Sequence, residues 1–585
     1  MLRNIAKVTS SGALAATFGG YFYAKSAMGD DALDRMIKFE KVGVPMTIDY
    51  KWEEAKCEKL PKILPTFFSP VGEEEETKRF EALHKKWAKP LFDVYMELGG
   101  FYYKNGQKIA ANMSGVVPKT YIDMYQPFLN DIPERTSEDI RNVVETQLGL
   151  KREEVFSGWE DKPIGCASIG QVHRATLKST GKRVVVKVQN PDAERTFKGD
   201  VFAINMLVEA AMPQFAPAFN EIQKQFATEF DYRGEMKNAI EIRENLKRGG
   251  FKDVIVPEVY PDLCTEKLMV MEEIYPSIPL HHALEEQAEK LAKQKGMSKK
   301  EFLDTEKERL EEEIKRLAKE GKVMESVSSK DYDRYIALQS LKQSTSRLSK
   351  GLYNWTLGFF LPTYDLSEDS VVVPINAAKL VDDLLEVHGH EVLIDGCFNA
   401  DPHPGNILYV DGKLALIDYG QVKRIDDKAR LDIAKMIVLV DEAIKVDPRT
   451  NPNVPPEVHA KAKKSIANFA KEIGMETEHM LDESFYEMCV VYFGRMDATF
   501  IYPKNILQWT DSMQEKDPLG NIDKVDYLVM LHTSSMMLRG LGEMLQQFKN
   551  LAVSWGPLAR RALKEKGLLE GVEREVGGWG GGEKS

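Results

Sequence analysis

Phe398-Asn399-Ala400-Asp401-Pro402-His403-Pro404-Gly405-Asn406 is the stretch on which the reading of this 585-residue chain turns. Pro402 and Pro404 bracket His403 and fix φ on both sides of it, so the loop holds its polar groups in place. Asp401 stands five residues before Asn406. Twelve residues after Asn406, behind the apolar run Leu414 to Ile417, comes Asp418-Tyr419-Gly420. Asn406 and Asp418 are hard oxygen donors, suited to Mg²⁺ that takes its remaining ligands from phosphates and water. Asp401, in a rigid loop, is placed to orient or deprotonate a hydroxyl or a water. Taken alone, a Pro-rich turn with an Asx motif explains 400–406 as well.

Upstream residues remove that ambiguity. In Pro163 to Val172 the small residues Gly165, Ala167 and Gly170, followed by Val172, keep the spacing G-x-G-x-x-G-x-V, with Cys166, Ser168 and Ile169 between them. Small residues there let backbone N–H groups close over phosphates. Arg183 to Val188 is a β-branched run after the turn Ser179-Thr180-Gly181 and reads as a strand. It carries Lys187, fifteen residues after Val172, where a strand lysine pairs with α- and β-phosphates. Glu229, Asp231 and Glu235 place three acids on an expected helix, one of them to pair with Lys187. Leu268 to Met271 is a further strand, and Met271 and Glu272 are the candidates for adenine contact. In this order the elements describe a kinase-type site for ATP and Mg²⁺.

Composition sets the outer limits. Hydrophobic residues at 43% and charged residues at 29% are ordinary globular values and exclude a disordered, collagen-like or polytopic membrane chain. A net charge of -12 argues against a nucleic-acid partner. The five cysteines include no CxxC pair. Residues 1–29 contain no acid, carry Arg3, Lys7 and Lys25, and include an uncharged run, Val8 to Ala24, that ends in Tyr21-Phe22-Tyr23. That pattern predicts an organelle-targeting segment or a membrane anchor. Residues 31–155 read as helical, with Thr136 starting a helix over 136–148. Within 281–375, a capping box at Ser298 to Glu301 opens a charged helix running to Gly321, a surface insertion or a protein contact over 298–321. Residues after about 430 again read as helices, and the Gly-rich end as a flexible tail.

Four features make the chain resemble the UbiB-type atypical kinases, also called aarF-domain or ABC1-type kinases. They are K-x-G-Q at Lys104 to Gln107, A-S-I-G-Q-V-H at Ala167 to His173, E-x-D at Glu229 and Asp231 with Glu235 behind it, and A-D-P-H-P-G-N at Ala400 to Asn406 followed by Asp418. The resemblance covers about 95–280 and 376–430 and leaves 281–375 unmatched. It implies an α+β, bilobal protein-kinase-like fold with an N-terminal helical extension, a charged helical insertion and a helical C-terminal region. The expected boundaries are 1–30 for the targeting or anchor segment, 31–155 for the extension, 156–274 for the N-lobe, 275–435 for the C-lobe, 436–575 for the helical region and 576–585 for the tail. The resemblance implies catalytic roles for Asp401, Lys187 and Glu235. It implies metal binding by Asn406 and Asp418, and gating by Lys104 and Gln107 through Glu229 and Asp231. It further implies ATP or ATP-derived phosphate chemistry tied to lipid or isoprenoid-quinone homeostasis. Membrane lipids or a lipid-modifying complex would be the partners, at a mitochondrial inner membrane or, alternatively, in a plastid. Gly165 and Cys166 stand where family loops often carry alanines, which leaves nucleotide preference open, and Tyr419 replaces the D-F-G phenylalanine. A pseudokinase scaffold is the alternative reading. A conventional Ser/Thr kinase lacks support, because neither A-P-E nor a lysine two residues after Asp401 is present. A metal hydrolase built on His388-Gly389-His390-Glu391 has no partner ligand in view.

Overall fold

The computed structural model describes residues 30–67, 69, 71–112, 118–129, 134–166, 169–211, 230–324, 326, 328–338, 374–494, 499, 501–504, 506–520 and 525–579. The chain divides into two compact units, one of 1–237 with 259–273 and the other of 238–258 with 274–585.

The first unit pairs an α-helical block with a twisted antiparallel sheet. Helices Asp30–Glu54, Glu73–Leu98, Gly100–Asn112 and Ala193–Ala211 converge on a core in which Phe39, Tyr95, Tyr102, Tyr125 and Phe128 stack at tilted or edge-on angles. Arg35 fixes the block at one point: its guanidinium donates to both carboxylate oxygens of the buried Asp200, at 2.8 and 2.7 Å, and to the Leu98 carbonyl. Gly106 sits where a Cβ would lie 2.8 Å from the Phe128 ring, so packing requires the glycine of the K-x-G-Q motif. Lys104 and Gln107 lie on the same helix, Gly100–Asn112; their side chains fall outside the described residues.

The sheet contains β1 (Phe156–Ser157), β2 (Gly165–Cys166), β3 (Gly170–Leu177), β4 (Arg183–Gln189) and β5 (Leu268–Glu272), in the order β1-β3-β4-β5 with β2 also on β3. Side chains alternate across a strand, and β4 shows it clearly. Val184, Val186 and Val188 are buried against Ile140, Val143 and Val144 of helix Ser137–Leu148, which leaves Lys187 on the opposite face. Thr136 caps that helix as expected, its side chain accepting from Asp139 N–H.

In the second unit a small sheet runs in the order Val254–Ile255, Lys413–Leu416, Ile407–Val410, Ile278–Pro279. A two-stranded ladder joins Cys397–Asn399 to Val422–Arg424. Around them pack helices Ala377–His390, Asp427–Lys445, Pro456–Ile473, Asp482–Phe493, Asp526–Met544 and Leu551–Glu565. Trp555 is fully buried and donates its indole N–H to Leu385 O at 2.7 Å. It lies so close to Gly389 that a Cβ there would meet its ring at 2.7 Å.

Two sequence expectations are corrected. The acids of Glu229 to Glu235 do not share a helix from its start: the helix is Tyr232–Gly249, and Asp231 precedes it, accepting from the Arg233 backbone N–H at 3.0 Å, because an Asp is better placed before a helix than within it. Glu229 lies outside the described residues. Residues 576–579 are not a flexible tail, since helix Leu569–Gly577 runs through 576 and 577 and the large apolar side chain of Trp579 is buried; 580–585 lie outside the described residues. The insertion helix starts at its Ser298 cap and runs over Lys299–Lys319, and Gly321 ends the turn at φ 65°. No helix among the described residues is long and apolar enough to cross a membrane; residues 8–24 lie outside them.

Candidate active site

Each unit assembles one group of the expected site residues. In the first, the hairpin of β3 and β4 converts the fifteen-residue spacing into contact, because Val172 stands directly opposite Lys187. The same row continues to Gly165 on one side and Met269 on the other, so loop, lysine and β5 share one register. The Lys187 ammonium donates to both oxygens of Glu235, at 2.7 and 2.8 Å, and lies 5.1 Å from the Tyr232 ring centroid. Tyr232 and Glu235, three residues apart, are neighbours on the helix surface, which is how one turn supplies both contacts. Lys187 and Glu235 have side-chain exposures of only 14% and 5%, so the pair is held in a largely dry environment.

The glycines of the loop differ in what they do. A Cβ at Gly170 would come within 2.6 Å of both the Tyr232 hydroxyl and the Val188 carbonyl oxygen, whereas Gly165 has open space around it. Gly170→Ala is therefore expected to lower the melting temperature, with a cost of about 1–3 kcal/mol from overpacking against backbone, while Gly165→Ala leaves it unchanged; differential scanning calorimetry of both variants checks the contrast. Cys166 is half-buried, and burial raises its thiol above the ordinary value, so it is a packed thiol. Ala167 and Ser168 lie outside the described residues, and Ile169 is half-buried, its carbonyl accepting from Asn190 N–H at 2.8 Å. Met271 is buried opposite Val185, and Glu272 ends β5 opposite Val184. The chain passes from the first unit to the second just beyond them, between Glu273 and Ile274. Asp231 is clamped by the Arg233 guanidinium at 2.8 and 2.7 Å, which holds its carboxyl below the usual range.

In the second unit the twelve-residue spacing also becomes geometry. Ile407–Val410 and Lys413–Leu416 form a hairpin whose tight turn, Asp411-Gly412, has φ of 48° and 79°. Ile407 pairs with Leu416, and the next rung is Ile417 N–H to Asn406 O at 3.1 Å. Asn406 and Asp418 therefore leave the same end of one hairpin. A Pro404–Asn406 3₁₀ turn delivers Asn406, and His403 Nδ1 accepts from Gly405 N–H at 3.0 Å to close it. Asp418 Oδ1 accepts from Gly420 N–H at 2.9 Å. Asn399 ties the two loops together, donating from Nδ2 to Asp418 O at 3.1 Å and accepting at Oδ1 from Asp401 N–H at 2.9 Å. An amide oxygen and a carboxylate at one hairpin end fit Mg²⁺, which needs only one or two protein ligands beside phosphates and water. Among the described residues no cluster of three His, Cys, Asp or Glu could form an all-protein metal cage.

A family model for the ABC1 atypical kinase-like domain matches residues 128–303 and 355–447. The chain belongs to the ABC1 atypical kinase-like family. The family model leaves 304–354 unmatched, a narrower break than the 281–375 read from the sequence. AarF domain-containing protein kinase 1 of Mus musculus is 29% identical over 35% of this chain and 39% of its own length. An uncharacterized chloroplastic aarF domain-containing protein kinase of Arabidopsis thaliana is 32% identical over 34% of this chain and 29% of its own length. The chain thus spans less than half the length of these curated relatives. A Synechocystis protein is 24% identical over 60% of this chain and 68% of its own length. A solved Mycobacterium tuberculosis structure, Rv3197 with erythromycin, superposes at a TM-score of 0.37 with 17% identity over 81% of this chain and 98% of that one.

Several residues of this ABC1 domain were not legible as site residues. Gln171 and His173 of the A-S-I-G-Q-V-H motif are buried on the sheet face away from Lys187. Gln171 Oε1 accepts from Arg135 N–H, and His173 Nδ1 lies 2.9 Å from Glu160 O while its ring stacks on Trp159. Gln171 thereby ties the helical extension to the sheet, and His173 fixes the loop of Trp159 and Glu160. Asn238, one turn after Glu235, donates to Tyr419 O at 3.0 Å. Tyr419 is as buried as a phenylalanine would be; its hydroxyl has no hydrogen-bond partner among the described residues, and burial raises it well above the usual phenol value. The His388-Gly389-His390-Glu391 segment forms no metal site: His388 Nδ1 lies 3.1 Å from Glu391 Oε2, and His390 Nδ1 2.9 Å from Asp395 Oδ2. Glu391, wholly buried, accepts from Asn399 N–H at 3.1 Å, a role the sequence alone does not signal.

Proposed function

We propose that this chain is a Mg²⁺-dependent, ATP-using atypical kinase or ATPase of the UbiB type. The observation that carries the reading is the Lys187–Glu235 pair at 2.7 and 2.8 Å, the ion pair that kinase-like sites need in place before they act. Lys187, steadied by Glu235, would position α- and β-phosphates. Asn406 and Asp418 would hold Mg²⁺, which when bound supplies neutralisation of charge on the phosphate oxygens. Asp401, fixed through its backbone N–H to Asn399, would orient the attacking hydroxyl or water. Lys104, Gln107, Glu229 and Asp231 would govern access to the nucleotide. The acid-free, basic residues 1–29 support an organelle address, mitochondrial with inner-membrane association or, as the alternative, plastid. The wider role would lie in lipid or isoprenoid-quinone homeostasis, with membrane lipids or a lipid-modifying complex as partners.

Nucleotide hydrolysis by the purified full chain, with and without Mg²⁺, tests the reading, with Asp401→Asn as control. The expected result is Mg²⁺-dependent turnover that the variant loses by about 10²-fold or more, the scale of general acid–base assistance, while it still binds Mg-ATP. Binding without turnover in the wild type would move the protein to a nucleotide-binding scaffold. Neither binding nor turnover would sink both.

A further inference from the structure

Helix Asp30–Glu54 continues through a π-turn, Ala55–Lys59, into helix Leu60–Ile63. Its outer face changes character along its length. From Lys41 to Phe67 the exposed described positions are Lys41, Val44, Pro45, Ile48, Lys51, Trp52, Lys62, Ile63, Leu64, Pro65, Thr66 and Phe67. Eight are apolar, three are lysines and none is acidic, on a chain whose net charge is -12. Val44, Ile48 and Trp52 recur every four residues, which places them along one stripe. Trp52, Ile63 and Phe67 are 56%, 70% and 80% exposed, and they stand in one contiguous patch rather than singly.

Of the four acids between Lys41 and Phe67, Asp49 and Glu53 are directed elsewhere, and the side chain of Glu58 lies outside the described residues. Asp49 pairs with Lys86 and accepts from Trp87 Nε1, and Glu53 reaches Arg79, so both face helix Glu73–Leu98. Glu54 pairs with Lys51 at 2.7 Å; Lys41 and Lys62 have no ion pair among the described residues. A stripe of large apolar side chains edged by lysines, with no exposed acid among its described positions, is complementary in charge and in polarity to an anionic bilayer surface. The segment that leads into this helix has the same chemistry, since residues 1–29 are acid-free and carry the uncharged run Val8 to Ala24, followed by Lys25.

We propose that the face from Val44 to Phe67 lies in the interface of an anionic membrane, with Ile48, Trp52, Ile63, Leu64 and Phe67 immersed and Lys41 and Lys62 at the headgroups. The helical part of the face, Val44 to Ile63, is about 30 Å long at 1.5 Å per residue, and its one-sided apolar stripe suits a helix lying in the membrane plane. The proposal does not depend on nucleotide turnover.

The test is sedimentation of the full chain with phosphatidylcholine vesicles and with vesicles containing phosphatidylserine. Wild type should sediment with the anionic vesicles. Ile48→Gln/Trp52→Gln/Ile63→Gln/Phe67→Gln should weaken partitioning at least roughly tenfold, given the apolar area withdrawn. Lys41→Gln and Lys62→Gln should each weaken it by about fivefold. Val553→Gln/Leu568→Gln, which alters exposed apolar residues elsewhere, should bind as wild type does. With brominated lipid, wild-type tryptophan emission should be quenched, and Trp52→Phe should lose that quenching while still sedimenting. Unchanged sedimentation of the fourfold variant would show that residues 1–29 cover this face or bind the lipid themselves, and would overturn the proposal. Equal binding to neutral vesicles, or undiminished quenching in Trp52→Phe, would overturn it too.

Discussion

Asp418→Asn is expected to abolish Mg²⁺-dependent nucleotide turnover while leaving the fold intact. Asp418 follows the strand Lys413–Leu416 and stands at the same end of the hairpin as Asn406. Its Oδ1 also accepts from Gly420 N–H, and an asparagine carbonyl can accept the same bond, so the turn survives the change. What is lost is one unit of negative charge and, on the proposed assignment, half the protein ligand set for the metal. A metal-assisted step draws several kcal/mol from that charge, so a loss of about 3–4 kcal/mol, or roughly 10²–10³-fold in rate, is expected. Stopped-time hydrolysis assays across a Mg²⁺ titration, beside circular dichroism melts, separate the two effects. A variant that melts as wild type does and turns over at the wild-type rate would show that Asp418 is not a metal ligand.

The hairpin explains why this half of the site was readable without coordinates. A two-residue turn at Asp411-Gly412 between four-residue strands fixes the spacing between Asn406 and Asp418, and the spacing in turn forces the register. The same holds for Val172 and Lys187, joined by β3 and β4. Where the chemistry depends on local pairing, residue counting suffices. It failed at the helix of Glu235, where the sequence suggests that Glu229, Asp231 and Glu235 share one helix, because nothing short of the Arg233 clamp shows that Asp231 lies before the first turn. It was also blind to residues whose partners are distant in sequence. Gln171 reads as part of a phosphate loop, yet its partner is Arg135, and Gly106 reads as motif punctuation, yet it answers to the Phe128 ring. Composition likewise cannot show that the apolar residues between Val44 and Phe67 face outward, since apolar helical stripes ordinarily face a core.

The residue beneath the loop from Ala400 to Asn406 sets the second large expectation. Glu391 has no exposed surface, and its Oε2 accepts from Asn399 N–H at 3.1 Å with His388 Nδ1 at 3.1 Å. Asn399 in turn holds Asp401 N–H and Asp418 O, and Ser534 Oγ donates to Asn399 O at 3.4 Å. Both loops thus hang from one backbone position that Glu391 fixes. Glu391→Ala removes the acceptor and leaves a buried N–H and a buried imidazole without it, the situation in which a missing partner costs far more than the bond contributes. A loss of about 3 kcal/mol is expected, read as a lower urea midpoint at unchanged slope. Glu391→Gln keeps an oxygen in place and should lose much less. Because the deletion also frees Asn399, the residual folded Glu391→Ala protein should turn nucleotide over more slowly than Glu391→Gln at equal folded fraction. Equal urea midpoints for the two variants would mean that the acceptor is not what holds Asn399, and equal turnover would uncouple Asn399 from Asp401.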